Sequence, residues 1–233
     1  MKTSTTGLDT RIIEASTTIL AELRELGNQE FANGLQRFGI DNEQSLGVKV
    51  PELRRIARRH KNDHDLALRL WQYPIHEMKT IAVFIADPRH LTIDQSHHWT
   101  SDLYSWDLCD HLCADLLYKT DIWEELIHTY IHDDREFVKR TAFVIIASMA
   151  IKDKTCANDS FLPYIDLITS HCDDPRNFVK KGAQWALKNI GKRNPELAER
   201  CMAVSHELMS SKSATKRWIG RKTINDLRKH YKG

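Results

Sequence analysis

The sequence predicts an all-α chain, a solenoid of stacked antiparallel helix pairs, and three observations carry that prediction. Only 9 Gly and 6 Pro occur in 233 residues, too little punctuation for the many tight turns of a β-sandwich or barrel. Apolar residues recur at helical spacing in a succession of short segments, and no stretch alternates as a half-buried strand would. Finally, a basic–apolar segment near residue 133 recurs near residue 173.

Helical periodicity bounded by start and stop signals gives the elements in order. They are Asp9–Leu26, Asn28–Phe38, Pro51–His60, His64–Trp71, Ile75–Ile85, Ile93–Tyr104, Trp106–Tyr118, Ile122–Ile131, Arg135–Ile151, Asp159–His171, Pro175–Ile190, Pro195–Met209 and Ser213–Tyr231. Pro51, Pro175 and Pro195 suit first-turn positions, where a missing N–H costs nothing. No linker interrupts the series, so residues 1–233 are expected to form one repeat domain.

DDREFVKRTAFVIIASMA, beginning at Asp133, resembles DDPRNFVKKGAQWALKNIG, beginning at Asp173; Phe137 aligns with Phe178, an offset of 41 residues. A helix pair about every 40 residues is the HEAT-like period. Weaker echoes surround Lys79 and Lys216. Stacked pairs of this kind bury a continuous core and present one concave face.

Net charge is +2 overall, but it is unevenly divided. Residues 1–134 hold 14 Lys+Arg against 22 Asp+Glu, a net −8, whereas residues 135–233 hold 20 against 10, a net +10. A basic half fits a polyanionic partner, because each neutralised phosphate releases counterions. The cations Lys139, Arg140, Lys180, Lys181, Lys216 and Arg217 recur in register near helix starts, where they do not help the helix dipole. They form either a ladder for a ligand on a concave, basic face or a solvated polar face. DNA backbone is the obvious ligand for such a ladder.

The N-terminus carries no apolar leader, and the most apolar run, Ala142–Ile151, falls well short of the roughly 18 residues of a membrane span. Five cysteines without a CxxC pair read as reduced thiols. A cytoplasmic protein without a membrane segment is the expectation.

Chemistry-bearing residues concentrate in SWDLCDHLCADLL, Ser105–Leu117, where Trp106 and Asp110 stand four apart and share one helical face. Trp185 lies in the second FVK repeat and Arg140 in the first. Two indoles, a carboxylate and a guanidinium would suit a cationic base or sugar beside a phosphate. Core tryptophans and a solvated aspartate are the plainer alternative. Cys109, Cys113 and His111 invite a metal reading, but buried structural thiols fit better. His97 and His98 beside Trp99 read as helix surface. Arg54, Arg55, Arg58 and Arg59 form two basic pairs, for phosphate or for solvent.

The ordered set LGVKVPELRRIAR (Leu46–Arg58), SWDLCD (Ser105–Asp110), FVKRTAF (Phe137–Phe143) and NFVKKGAQWALKNIGK (Asn177–Lys192) resembles the AlkD-like DNA alkylation repair family, HEAT-like repeat alkylpurine DNA glycosylases. Trp106, Asp110, Arg140 and Trp185 match the family's functional positions. The resemblance implies hydrolysis of the N-glycosidic bond of N3- or N7-alkylated purines in double-stranded DNA, by a monomer with no metal and no cofactor, while the damaged base stays largely stacked. Asp110 would then be catalytic, Trp106 and Trp185 would line the lesion cleft, and Arg140 would hold a phosphate. Family members also use an N-terminal aromatic residue, for which Phe38 is the nearest candidate. The alternatives are a non-catalytic HEAT-like protein binding damaged or branched DNA, and a protein-binding solenoid.

Overall fold

A computed structural model describes residues 5–36 and 44–232, with side chains for 8–36 and 44–231. Phe38 lies outside the described residues. Among them the chain is all-α, with thirteen α-helices joined by short turns and no strand. The chain divides into two compact units, residues 1–121 and 122–233.

In the first unit, α1 (Thr5–Leu26), α2 (Gln29–Leu35), α3 (Val50–Ala57), α4 (His64–Trp71), α5 (His76–Ile85), α6 (Ile93–Ser101) and α7 (Trp106–His111) follow one another. The apolar faces of α1 and α3 pack on the α4/α5 pair, burying Leu23, Ile56, Leu66, Leu70 and Ile81 completely. Trp71 and Trp99 stack at 4.3 Å between ring centroids. The Trp71 indole N–H is satisfied by Asp102, which accepts from Trp71 Nε1 at 3.0 Å and from Lys79 Nζ at 3.1 Å. His97 and His98 beside this core remain at or near the surface, His98 exposed and His97 half-buried, as their spacing predicts.

The segment before α3 is anchored by Glu77, a buried carboxylate that accepts from the backbone N–H groups of Leu46, Gly47 and Val48 and from the Ser45 hydroxyl. Gly47 has φ +75°, and a Cβ there would stand 2.1 Å from the Asn28 carbonyl oxygen. Only glycine allows this turn to close against the start of α2.

The second unit comprises α8 (Trp123–Tyr130), α9 (Glu136–Lys152), α10 (Leu162–His171), α11 (Asn177–Gly191), α12 (Pro195–Met209) and α13 (Ala214–Lys232). They pair as α8/α9, α10/α11 and α12/α13, with α9, α11 and α13 packed in succession. This is the repeat that the 41-residue offset predicts. A Cβ on Gly220 would meet the Ser205 carbonyl oxygen at 2.3 Å, so α12 and α13 can touch backbone to backbone only with glycine there.

Successive repeats carry the same turn and are tied to one another beside it. Asp133 accepts from Arg135 N and its guanidinium, and Asp174 accepts from Arg176 N and its guanidinium, in the same bidentate turn. Arg176 then donates to the Asp134 carbonyl, Phe178 N to Glu136 at 3.2 Å, and Ser213 Oγ to Asp173. The structural register therefore aligns Asp133 with Asp174, the same 41-residue offset at which Phe137 aligns with Phe178. Asp87 and Arg89 form a third copy of the turn, in the first unit.

Other departures are local. Pro175 does not occupy a first turn, since α11 begins at Asn177; Pro51 and Pro195 do. The helix expected over Trp106–Tyr118 is α only to His111, continues as a π turn over Leu112–Leu116 and ends as a 3₁₀ turn, Leu117–Lys119. Cys109, Cys113, Cys172 and Cys201 are buried, and burial pushes the Cys172 and Cys201 thiols up to about 11 and about 12. No helix among the described residues is long and apolar enough to cross a membrane.

Candidate functional site

Trp106 and Asp110 lie in the first unit, on a short helix with two unlike sides. Leu108, Cys109, Leu112, Cys113, Leu116 and Leu117 are fully buried and fix one side of the stretch to the core. Trp106 and Asp110 emerge partly exposed on the other. The π turn begins at Leu112, two residues after Asp110; such turns are frequent at functional sites.

This stretch is gripped at both ends. At its start, Asp107 Oδ2 lies 3.0 Å from Nε2 of His76, a buried residue of α5 whose Nδ1 is 3.1 Å from the Tyr104 hydroxyl. Burial pulls the His76 pKa down, but the hydrogen bond and charge of Asp107 outweigh it and hold the imidazole above its ordinary value. Burial likewise pushes Asp107 up, and the hydrogen bonds and charge around it, those of His76 foremost, more than reverse it. At the far end Arg54 of α3 makes a bidentate pair with Asp115, at 3.2 and 2.9 Å, while its guanidinium lies 4.1 Å from the Phe84 ring centre. His111 Nδ1 also reaches Asp115, at 3.2 Å.

The remaining predicted residues belong to the second unit. Arg140 of α9 is almost wholly buried at 5% exposure, and its Nη1 donates to the Phe178 carbonyl at 2.7 Å. Trp185 of α11 is partly exposed. Lys139 approaches Asp174 at 3.8 Å, Lys180 Nζ stands 5.4 Å from the Trp218 ring centre, and Lys181 is exposed. Arg217 donates to the carbonyls of Ser211 and Lys212, and Lys216 is half-buried. The structure thus brings Trp106 and Asp110 together on α7, and Arg140 and Trp185 onto the packed helices α9 and α11. It also divides the cation ladder: Lys139, Arg140 and Arg217 face protein oxygens, Lys180 stands over the Trp218 ring, Lys216 is half-buried and Lys181 is exposed.

Arg54 and Arg55 of α3, with Arg59 in the turn after it, are not a bare phosphate-binding row. Arg54 takes Asp115, Arg55 takes Glu22 and Glu52, and Arg59 takes Glu22. His76 and Asp107 escaped sequence reading because they are 31 residues apart and follow no period. Among the described residues no group of three or more His, Cys, Asp and Glu is arranged to hold a metal. A cleft of about 530 Å³ in the second unit, between α8 and α10, is walled by Trp123, Phe161 and Tyr164 and contains none of the predicted site residues.

Comparison with known proteins adds the following. The model of a family described as DNA alkylation repair enzyme matches residues 19–224. No curated protein matches the sequence. Among solved structures, the chain is similar to one from a new family of proteins related to the HEAT-like repeat DNA glycosylases, with affinity for branched DNA structures. The TM-score is 0.73 at 17% identity, over 90% of this chain and 94% of that one. This likeness shows a HEAT-like repeat fold. Two designed armadillo repeat proteins align with TM-scores of 0.36 and 0.41, at 15% and 13% identity, covering 84% and 93% of this chain and 99% and 98% of theirs.

Proposed function

The chain belongs to the DNA alkylation repair enzyme family, and from that membership we propose that it hydrolyses the N-glycosidic bond of N3- or N7-alkylated purines in duplex DNA, with Asp110 as the catalytic carboxylate. The observation that carries the reading is the surface of α7: Asp110 and Trp106 stay partly exposed on one face while Leu108, Cys109, Leu112 and Cys113 beside them are buried.

An N-alkylated purine is already cationic, so its departure needs neither a metal nor a general acid. The C1′–N bond breaks, its electron pair neutralises the leaving base, and positive charge develops on the deoxyribose. A carboxylate beside C1′ stabilises that charge and orients the water that adds to C1′, whose proton passes to the carboxylate or to solvent. Trp106 and Trp185 supply aromatic faces for the lesion and its sugar. Arg140 and the lysines Lys139, Lys180, Lys181 and Lys216, with Arg217, hold the backbone, positioning the DNA without reading sequence. The protein acts as a monomer in the cytoplasm, where it has access to DNA.

A second reading is favoured by one observation, the affinity of the structural neighbour's family for branched DNA: the protein binds damaged or branched DNA without cutting the glycosidic bond. One experiment separates the two. Duplex DNA carrying N7-methylguanine is incubated in single turnover, free base is measured, and binding to a four-way junction is measured in parallel. The glycosylase reading expects base release that falls by about 10²-fold or more in Asp110→Asn, with DNA affinity retained. Junction binding with no base release from the wild type would replace it with the second reading.

A further inference from the structure

We propose that His76 and Arg54 are positioning residues for the reaction assigned to Asp110, because they grip its helix at Asp107 and Asp115, on either side of Asp110 in the chain, and thereby fix the rotation at which that carboxylate is presented. The inference rests on the catalytic reading of Asp110.

The two grips come from different helices. His76 sits in the first turn of α5 and reaches back to Asp107, in the first turn of α7. Arg54 reaches from α3 to Asp115, inside the π turn. An isolated π turn is rarely stable, and the bidentate fork of an arginine is suited to holding one, because it fixes a carboxylate in direction as well as distance. With one end held from α5 and the other from α3, the stretch between them can neither roll nor slide without breaking a charge-assisted hydrogen bond. Asp110 lies within it.

The chemistry of the first grip depends on a proton. Asp107 can only accept, so Nε2 of His76 carries a hydrogen; the charge of the ring is decided at Nδ1, where the Tyr104 oxygen can accept a second one. The other charged group near the ring on α5 is Glu77, whose carboxylate is occupied by the backbone of residues 46–48. His111 of α7 lines the same cavity of about 70 Å³, to which α2 and α3 contribute apolar side chains such as Leu35 and Leu53. In these surroundings the charged ring holds Asp107 more firmly than the neutral one, so alkaline conditions loosen the start of α7.

The test uses the full chain, with wild type, His76→Gln and Arg54→Ala compared. Single-turnover release of N7-methylguanine is followed from neutral to mildly alkaline pH, alongside duplex affinity, the ¹⁵N indole signal of Trp106, and melting temperature as the control for folding. Gln preserves a hydrogen bond to Asp107 but cannot ionise. The expected result is a wild-type rate that declines as pH rises through the raised His76 pKa. His76→Gln should run roughly ten- to hundredfold slower at neutral pH, without that decline and with duplex affinity unchanged. Arg54→Ala should be slow at every pH. A His76→Gln protein with wild-type rate and wild-type pH profile would overturn the proposal. Should the wild type release no base, the catalytic reading fails on its own account, and the Trp106 indole decides the grip: a shifted or broadened signal in both variants, with the other indoles unmoved, upholds it, and an unmoved Trp106 signal overturns it.

Discussion

Arg140 Nη1 donates to the carbonyl oxygen of Phe178 at 2.7 Å, so the arginine that family resemblance assigns to phosphate is also a strut between consecutive repeats. Truncation must therefore affect folding as well as DNA. Arg140→Ala is expected to lower stability by about 1–3 kcal/mol, the range for losing a hydrogen bond to a buried charged group, and to weaken duplex binding. Denaturant unfolding and a binding titration on the same protein separate the two effects. Unchanged unfolding would mean that the strut contributes nothing.

Lys180 and Lys181 should behave differently. Lys181 is exposed, and Lys180 has no closer partner among the described residues than the Trp218 ring, 5.4 Å from its Nζ to the ring centre. Replacing both by Ala should leave the melting temperature nearly unchanged and weaken damaged and undamaged duplex equally. If each lysine neutralises one phosphate, the slope of log K against log salt should fall by about 1.8. An unchanged slope would remove these two lysines from the interface.

Glu77 tests the anchor before α3. Its carboxylate satisfies three backbone N–H groups and one hydroxyl in a buried position, and each donor left unpaired costs about 1–3 kcal/mol. Glu77→Ala should be among the most destabilising single changes in the first unit, at roughly 3–5 kcal/mol by chemical denaturation. A loss below about 1 kcal/mol would show that water replaces the carboxylate freely.

The His76–Asp107 pair also sets a pH dependence of stability, whose sign follows from the direction of each shift. His76 is raised above its ordinary 6.5 in the folded protein, so its contribution is fully present below that value and disappears as pH rises through the folded pKa. Asp107 is lowered from 3.8, so its contribution is present above that value and disappears as pH falls through the folded pKa. Thermal melts should show wild type losing stability above neutrality faster than Asp107→Asn. Parallel curves for the two proteins would contradict the pairing.

Trp185 should tolerate removal better than a core tryptophan. It is partly exposed, while Trp71 is fully buried and stacked on Trp99. Trp71→Ala is expected to cost about 3–5 kcal/mol, and Trp185→Ala distinctly less while weakening binding of lesion DNA. Equal destabilisation by the two changes would make Trp185 a structural residue.

The sequence by itself determined the helices and their repeat, because both depend on local spacing: apolar residues at helical intervals bury one face, and the FVK segments recur at 41 residues wherever they are read. It also showed Trp106 and Asp110 on one face, since four residues make about one turn. Tertiary structure decided which charges are engaged. Lys139, Arg140, Lys181 and Arg217 look alike in sequence, yet Arg140 is buried against Phe178, Arg217 caps carbonyls, Lys139 faces Asp174 and Lys181 is exposed. The π turn and the His76–Asp107 and Arg54–Asp115 grips were equally invisible, because each depends on a partner brought from another helix rather than on any period along the chain. A carboxylate's surroundings, and therefore its chemistry, are fixed by those distant partners.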